Sequence, residues 1–328
     1  MQKIRWGILG TGSICKQFAT GLQVLPDAEI AAVGSRSQAT ADAFASTFGV
    51  ARAHASYEAL AADPEVDVIY IGTPHPLHLP NSLLCLEHGK HVLCEKPVTV
   101  NGRELDQLVA AAKEADRFLM EAMWMYFNPN LIRAEEMLRS GAIGELRMVQ
   151  ANFGFRSEGD ESSRLIAPEL AGGSLLDVGI YPIALASLFF GGAPERIQSE
   201  MTPASTGVDA QAAMLFRYPG GGLATLTSAV LTDTPYDAWL MGENGMIKLH
   251  APFWGRCPGF TLYRPGQPEE TFTIPLRGNG YDYEAEAVMA CLREGKTECP
   301  RMPLSKSIEI MATMDAIRGQ WGLKYPFE

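Results

Sequence analysis

The feature that most constrains this chain is a glycine-rich turn that directly follows its first apolar segment. Ile4–Leu9 is typical of a buried parallel strand, and it leads into Gly10-Thr11-Gly12-Ser13-Ile14-Cys15. Before a helix, the first glycine permits a tight turn and the second leaves room for a phosphate beside backbone N–H groups. Cys15 stands where Gly or Ala is usual, and it is small enough for the same packing. The pattern predicts dinucleotide binding by Gly10, Gly12, Ser13 and Ile14, with a plain glycine turn as the alternative.

The first 120 residues alternate apolar strands with amphipathic helices. Such alternation predicts a doubly wound parallel sheet with helices on both faces, that is, an α/β Rossmann domain over residues 1–120. Further strands are expected at Ile30–Gly34, Val66–Gly72, His91–Cys94 and Phe118–Met120, and helices at Ser37–Phe48, Leu77–His88 and Asn101–Ala115.

The pattern changes in residues 121–328, where strand-like stretches dominate and turns such as Tyr218–Gly222 join them. We therefore expect an α+β domain built on an open, mostly antiparallel sheet. Its strands are predicted at Leu146–Arg156, Arg196–Met201, Ala210–Tyr218, Leu223–Leu231, Met246–His250, Thr261–Arg264 and Glu270–Ile274. Its helices are predicted at Pro129–Ser140, Tyr283–Glu294 and Ser305–Gln320.

The charge balance limits the classes of binding partner, and the cysteines indicate the cellular compartment. The formal net charge is -11 and no cluster of Lys and Arg is present, which argues against a nucleic-acid surface. The six cysteines form no CxxC pair and have no histidine partners at zinc spacing, so we expect free thiols in a reducing compartment. With neither a secretory signal nor an apolar run of membrane-spanning length expected, the cytoplasm is the predicted location.

The end of the second strand discriminates between NAD and NADP. An NAD site usually carries Asp or Glu there to accept the ribose hydroxyls, whereas this strand ends in Gly34-Ser35-Arg36-Ser37. Arg36 can grip a 2′-phosphate and Ser35 can donate to it. The sequence therefore favours NADP; if Arg36 is only a solvated residue at a helix start, NAD remains possible.

Three further segments carry candidate chemistry. Thr73, Pro74, His75 and His78 follow one predicted strand, and Glu95-Lys96-Pro97 ends the next at the sheet edge where such folds bind ligands. The third segment, Gly172–Tyr181, is expected to open a helix in the second domain and contains Asp177. Taken alone, Lys96 could be an ordinary surface lysine and Asp177 an ordinary helix cap. The prediction of a catalytic site therefore depends on the occurrence of these motifs together.

With these motifs, the chain resembles the glucose–fructose oxidoreductase/inositol dehydrogenase (Gfo/Idh/MocA) family along essentially its whole length. It is most similar to the branch that contains dimeric dihydrodiol dehydrogenases and NADP-dependent D-xylose dehydrogenases. The resemblance implies a nicotinamide-dependent oxidoreductase in which Lys96, Tyr181 and Asp177 are catalytic. It also implies that Thr73, Pro74, His75, His78, Glu95 and Lys96 lie along the cofactor, and that the protein is a homodimer. Tyr181 stands where inositol dehydrogenases have histidine.

Elementary acid–base chemistry agrees with these roles. Hydride transfer from a carbinol requires a group that takes the hydroxyl proton, and the reverse reaction returns it. A phenol, with a pKa of roughly 10, is a poor base at neutral pH unless a nearby ammonium favours the phenolate. Lys96 can supply that charge or donate to the substrate oxygen, and Asp177, four residues before Tyr181, can orient the substrate or hold Lys96.

His75 and His78 have no third ligand nearby, so we predict no metal site. Aromatic and polar residues in the second half suit either the CH face of a sugar or an aromatic diol. The candidate substrate-binding residues are Trp124, Phe153, Arg156, Asp177, Asn279 and Tyr281, and core packing is the alternative for each aromatic one. Two functional alternatives stay open: an NADP-binding regulator without catalysis, and an NAD-preferring inositol or sugar dehydrogenase.

Overall fold

The computed structural model describes residues 3–157 and 160–328 and contains fourteen strands and nine α-helices in those ranges. The strands are β1 (Ile4–Leu9), β2 (Ala28–Gly34), β3 (Arg52–His54), β4 (Val68–Ile71), β5 (His91–Glu95), β6 (Leu119–Ala122), β7 (Leu146–Gly154), β8 (Arg196–Pro203), β9 (Asp209–Arg217), β10 (Leu223–Ala229), β11 (Ala238–Gly242), β12 (Gly245–Leu249), β13 (Phe260–Tyr263) and β14 (Glu270–Phe272). The helices are α1 (Ser13–Leu22), α2 (Gln38–Phe48), α3 (Tyr57–Ala61), α4 (His78–Glu87), α5 (Gly102–Ala115), α6 (Pro129–Arg139), α7 (Ile180–Phe190), α8 (Tyr281–Arg293) and α9 (Leu304–Trp321).

The chain divides into two compact units. The first comprises Met1–Trp124 and Arg277–Ile308, and the second comprises Met125–Leu276 and Glu309–Glu328. The expected single boundary after residue 120 differs from this division, because the chain returns to the first unit after residue 276. Two hydrogen bonds of that segment show why: Asn279 Nδ2 donates to the oxygen of Gln17 in α1, and the N–H of Leu119 in β6 donates to the oxygen of Thr297.

The first unit contains a six-stranded parallel sheet in the order β3-β2-β1-β4-β5-β6, which confirms the predicted Rossmann fold. Apolar residues dominate its central strands, and β4 is buried at every position because helices cover both faces. This order places the carboxyl ends of β1, β2, β4 and β5 at one edge of the sheet, where ligands bind in doubly wound folds.

The second unit contains an eight-stranded sheet in the order β14-β13-β12-β11-β7-β10-β9-β8. All neighbours are antiparallel except β7 and β10, so the prediction of a mostly antiparallel sheet is confirmed. Along β9, buried and exposed residues alternate, so one face of the sheet packs on the core and the other is open. Strand β11 was not predicted; it pairs with β7 and β12 near the middle of this sheet.

A helical segment of the second unit, Pro168–Phe190, is long and apolar enough to cross a membrane by length and composition alone. However, 89% of its most apolar window is buried in the protein, and all but one of the residues of α7 from Ile180 to Phe189 are buried. These are properties of the core helix of a globular unit.

Candidate active site

The glycine turn has the geometry that an anion cradle needs. Gly10 has a φ of +110°, a conformation that glycine adopts without strain. Gly12 is the N-cap of α1, and no side chain caps this helix. A Cβ built on Gly12 would meet nothing within 4 Å, so the space before the helix start is open. Ser13 and Ile14 form the first turn of α1, and these residues fit the pyrophosphate of a dinucleotide, which binds backbone N–H groups at a helix N-terminus.

Cys15 fills the third position of the glycine motif because its neighbour has no side chain. A Cβ built on Gly72 would lie 2.5 Å from the Cys15 sulfur, and the thiol donates to the oxygen of Gly72 at 3.4 Å. Burial raises the pKa of Cys15 to about 12, so the thiol stays protonated. Its role is therefore to pack α1 against β1 and the residue that follows β4.

A network of hydroxyl groups surrounds the end of β2. The Thr40 Oγ1 atom lies 2.7 Å from Ser35 Oγ and 2.8 Å from Ser37 Oγ, and Ser35 Oγ lies 3.5 Å from Thr11 Oγ1. Ser37 is also the N-cap of α2, where its oxygen accepts the N–H of Thr40. Sequence reasoning found Ser35 but missed Thr40, although its position five residues beyond Ser35 in the first turn of a helix was a usable signal.

Arg36 is exposed and stands beside this network in the sequence. Its charge acts on the phenol of Tyr57: burial raises the pKa of Tyr57, and Arg36 opposes that rise. Because β2 ends in Gly34-Ser35-Arg36, this edge presents a cation and hydroxyls in place of the usual carboxylate.

Thr73 and His78 lie at the carboxyl end of β4 and are both buried. Asn81 Nδ2 donates to Thr73 Oγ1 at 3.1 Å, and His78 contacts the Thr73 main-chain oxygen through Nε2. Pro74 and His75 lead into the short 3-10 turn before α4. These residues thus form one tightly held turn, and their predicted contact with the cofactor stays a prediction.

Glu95 is a buried carboxyl below the Lys96 turn. The Tyr70 hydroxyl donates to Glu95 Oε1 at 2.5 Å, and Glu95 Oε2 accepts the Lys96 N–H at 3.3 Å. Burial raises the pKa of Glu95 to about 7, although the charge of Lys96 and the hydrogen bond from Tyr70 lower it. In the first unit Glu95 therefore holds the backbone of Lys96, a role that the motif alone does not reveal.

Two more buried carboxyls belong to the same unit. Glu121 Oε1 accepts the N–H of Val98 at 3.0 Å, so it holds the residue that ends the Lys96-Pro97 turn. Glu284 on α8 is fully buried, and neither of its carboxyl oxygens has a hydrogen-bond partner within residues 3–157 and 160–328. Burial, reinforced by the charge of Glu95, raises the pKa of Glu284 well above its usual value. We infer that Glu284 is a neutral acid in the folded protein.

In the second unit, Asp177 lies within a π-helical turn, Leu175–Gly179, that leads into α7. The sequence predicted a helix opening here but not its π geometry, which is rare and is often found at functional sites. Arg164 Nη1 donates to Asp177 Oδ1 at 3.0 Å; the Arg164 side chain is 58% exposed and that of Asp177 is 10% exposed. Arg164 was not identified from the sequence, because its segment shows no periodic pattern.

Tyr181, in the first turn of α7, belongs to an aromatic group of the second unit. Its ring centroid lies 5.6 Å from that of Phe153 and 6.3 Å from that of Trp254, and these two rings stack at 3.5 Å. Tyr236, which has a φ of +66°, packs edge-on against Trp254 at 5.0 Å. Positive φ is rare for a bulky residue and marks backbone held by its surroundings. Trp254 and Tyr236 were missed, since only their spatial proximity to Tyr181 distinguishes them.

The other predicted substrate-binding residues are divided between the first and the second unit. Trp124 and Tyr281 belong to the first unit and stack on each other at 4.1 Å, while Asn279 binds α1 through Gln17. In the second unit, Arg156 is exposed and pairs with Leu231 in an isolated bridge after β7. Phe153 alone of the predicted substrate aromatics is placed with Tyr181. Substrate binding by all of these residues, including Phe153, stays a prediction.

Within the described ranges, no group of three or more His, Cys, Asp or Glu side chains is arranged to hold a metal ion. His75 and His78 lie near each other, with ring centroids 5.7 Å apart, but each also belongs to the Thr73 turn. All six cysteines fall in the described part of the chain and are buried free thiols.

Two protein-family models match the chain. Residues 4–123 match an oxidoreductase family with an NAD-binding Rossmann fold, and residues 131–248 match the GFO/IDH/MocA C-terminal domain.

Among curated proteins, the chain is similar to a trans-1,2-dihydrobenzene-1,2-diol dehydrogenase of Danio rerio, with 38% identity over 333 residues that cover 98% of each chain. Among solved structures, it is similar to KijD10, a 3-ketoreductase from Actinomadura kijaniata in complex with NADP and TDP-benzene, at 26% identity and a TM-score of 0.87, with 97% of this chain and 98% of that one covered. An aldose–aldose oxidoreductase from Caulobacter crescentus shares the fold at 23% identity and a TM-score of 0.90, with 98% of this chain and 99% of that one covered.

Proposed function

The chain belongs to the Gfo/Idh/MocA family of oxidoreductases, whose first domain is a nucleotide-binding Rossmann fold, and on that premise we propose that it is an NADP-dependent dehydrogenase or reductase acting on CH–OH groups. The observation that carries the proposal is Tyr181, a phenol set beside Phe153 and Trp254 at the start of the helix that follows the turn of Asp177. A proton-transferring group beside apolar rings suits a substrate that has both hydroxyls and an apolar face.

NADP is the cofactor that the end of β2 supports. Arg36 and the hydroxyls of Ser35 and Ser37 offer positive charge and donors to a 2′-phosphate, and no carboxylate of Gly34–Ser37 would repel it. The similar 3-ketoreductase was solved with NADP, which agrees with this reading. An NAD-preferring sugar or inositol dehydrogenase is the competing cofactor assignment.

The roles of the chain's own residues follow from their chemistry. When bound, a nicotinamide dinucleotide supplies the hydride acceptor or donor. Tyr181 takes the proton of the substrate hydroxyl in oxidation and returns it in reduction. From the family resemblance we assign to Lys96 the positive charge that stabilises the developing alkoxide, and to Asp177 the orientation of the substrate hydroxyls.

For the substrate we propose a small cyclic diol or polyol, with trans-dihydrodiols of arenes first and aldoses second. The stacked rings of Phe153 and Trp254, with Tyr236 edge-on, give the second unit an aromatic wall near Tyr181. The name of the similar curated proteins, dihydrodiol dehydrogenases, points to the same class. Sugars present an apolar CH face to aromatic rings and are therefore the second choice.

We also propose a cytoplasmic homodimer. Six buried free cysteines suit a reducing compartment. The open face of the eight-stranded sheet carries the outward residues of β8, β9 and β10, including Leu215, which is 40% exposed. Such a face commonly pairs with its own copy.

The test is turnover measured by NADPH absorbance with NADP or NAD and a panel of trans-dihydrodiols, aldoses and inositols, in both directions. The proposal expects NADP-dependent turnover of at least one dihydrodiol or aldose. Faster turnover with NAD would favour the competing dehydrogenase. Tight NADP binding without turnover of any substrate would indicate a non-catalytic regulator.

A further inference from the structure

His78 bridges two turns that the proposed function uses. It is the first residue of α4 and is fully buried. Its Nδ1 atom lies 2.8 Å from the main-chain oxygen of Pro97, and its Nε2 atom lies 2.8 Å from that of Thr73. Thr73 and Pro97 follow β4 and β5, which are neighbours in the sheet. One imidazole ring therefore spans the turn of Thr73 and the turn of Lys96.

Both contacts can be hydrogen bonds at the same time only if each ring nitrogen of His78 carries a proton. A carbonyl oxygen accepts hydrogen bonds and never donates, whereas a neutral imidazole has only one N–H. A neutral His78 can donate to Thr73 or to Pro97, and its other nitrogen then presents a lone pair to an oxygen. Only the imidazolium donates to both at once.

The groups around His78 act in opposite directions on the charge of the imidazolium. Burial lowers the pKa of His78, the oxygens of Pro97 and Thr73 raise it, and the positive charge of Lys96 lowers it further, with a net fall below the ordinary value. His75, which is also ionisable, lies nearly edge-on to the ring at a centroid distance of 5.7 Å. The neutral ring is therefore favoured at neutral pH, and the second proton binds only on the acid side of the ordinary histidine range.

We propose that His78 is a positioning residue that ties the Lys96-Pro97 turn to Thr73, and that the tie is complete only when both ring nitrogens carry a proton. The inference rests on the proposed function, because the position of Lys96 matters through its catalytic role. Pro97, whose main-chain oxygen the ring contacts, directly follows Lys96. Weakening the tie therefore acts on the Lys96 turn, and we expect it to affect the chemical step more than NADP binding.

The kinetic test compares His78→Gln with the wild type between pH 5.5 and 8. Glutamine has one NH2 group and cannot donate to both oxygens. We expect kcat at pH 5.5 to fall about tenfold, the typical effect of a lost hydrogen bond to a charged group, while KM for NADP changes by less than about twofold. The ratio of wild-type to variant kcat should shrink as the pH rises, because the wild-type ring loses its second proton.

The matched control is His88→Gln in the residue that ends α4. His88 is exposed, and its Nδ1 atom contacts only the oxygen of Leu84 in the same helix among the hydrogen bonds that the structure gives it. Its kinetics should follow the wild type at every pH. A His78→Gln enzyme with wild-type kcat, or with a ratio that is independent of pH, overturns the proposal.

A second measurement uses the wild-type protein and does not depend on how the variant folds. Long-range 1H–15N spectra of protein labelled at the histidine rings report which nitrogens carry protons, and slow hydrogen exchange identifies the buried ring. We expect the His78 ring to be doubly protonated at the acid end of the range and to lose one proton as the pH rises. A ring with one bare nitrogen throughout pH 5 to 8 contradicts the proposal. Absence of any wild-type turnover would instead contradict the proposed function, and the spectra would still decide the protonation of His78.

Discussion

The side-chain oxygen of Thr40 lies 2.7 Å from that of Ser35 and 2.8 Å from that of Ser37. A residue in the first turn of α2 thus fixes the hydroxyls on both sides of Arg36. Ser35 is buried, so its rotamer is set by these neighbours and not by solvent. The preference for NADP that we propose depends on hydroxyls that are aimed before the phosphate arrives.

Thr40→Val should therefore weaken NADP binding while the fold is kept. Valine has nearly the shape of threonine but offers no hydrogen bond, so Ser35 and Ser37 lose their shared partner. We expect KM for NADP to rise about fivefold, as for the loss of one or two ordinary hydrogen bonds, and KM for NAD to change by less than about twofold. Initial rates at varied cofactor concentration measure both constants.

A rescue variant and a control variant test this explanation of the change in KM. Thr40→Ser restores the hydroxyl and should recover most of the NADP affinity. Thr47→Val removes a hydroxyl from the same helix, one that bonds only to the oxygen of Ala43 among the hydrogen bonds found for it, and should leave both constants unchanged. Equal rises in KM for NADP and NAD would refute the specificity role of Thr40.

Arg164 should matter for the substrate and not for the cofactor. Its guanidinium binds Asp177 Oδ1 at 3.0 Å, so Arg164→Met leaves a mostly buried carboxylate with one partner fewer. Because the arginine is half exposed, we expect kcat/KM for the substrate to fall by only roughly fivefold, equivalent to about 1 kcal/mol. KM for NADP should not change.

Arg133→Met provides the comparison, since Arg133 forms an exposed ion pair with Glu136 on α6. It should have wild-type kinetics. If Arg164→Met and Arg133→Met behave alike, Arg164 has no part in orienting Asp177.

Glu284 should make the stability of the protein depend on pH. Its pKa is raised in the folded state, so the unfolded chain loses the proton first as the pH rises above roughly 4.3. The folded state is then disfavoured by up to about 1.4 kcal/mol for each further pH unit, until the folded protein also ionises. Glutamine does not ionise, so the Glu284→Gln variant does not lose stability in this way. Its free energy of unfolding relative to that of the wild type should therefore increase from pH 5 to pH 8.

Urea unfolding at several pH values measures this difference. Glu286→Gln alters an exposed carboxylate on the same helix and should show no comparable trend, with changes within about 1 kcal/mol. A Glu284→Gln variant whose relative stability is flat across this pH range would show that Glu284 is ionised in the folded protein.

Strong apolar runs allowed much of the fold to be predicted. Strand β1 has the predicted bounds Ile4–Leu9, because apolar residues dominate it and the glycine turn ends it sharply. Strand β11 was missed because its five residues follow Pro235, Tyr236 and Asp237, and pairing with β7 and β12 fixes it as a strand. The three-residue strand β3 was missed for a similar reason, since it owes its form to β2.

The candidate site likewise contains residues that the sequence identifies and residues that only the structure identifies. The glycine turn, Lys96 and Tyr181 stand in contiguous motifs and were found in the sequence. Residues that act through contacts distant in sequence were not found in those roles: Arg164 meets Asp177, Trp254 stacks on Phe153, and His78 contacts Pro97 nineteen residues away. No local pattern encodes such contacts, because the fold creates them.

The most direct test of the central claim is the turnover number of Tyr181→Phe with NADP and the best dihydrodiol or aldose, measured beside Lys96→Met. Removal of the phenol hydroxyl leaves a ring of the same shape beside Phe153 and Trp254. Tyr263→Phe, on β13, removes a phenol hydroxyl outside the proposed site and should retain full activity.

If Tyr181 transfers the substrate proton, kcat should fall at least about a hundredfold in Tyr181→Phe, the usual contribution of a general acid–base group, and comparably in Lys96→Met. NADP binding by the Tyr181→Phe variant should stay near that of the wild type. A Tyr181→Phe enzyme that keeps kcat within about threefold of the wild type would contradict the account, because no proton transfer by Tyr181 would then limit the reaction.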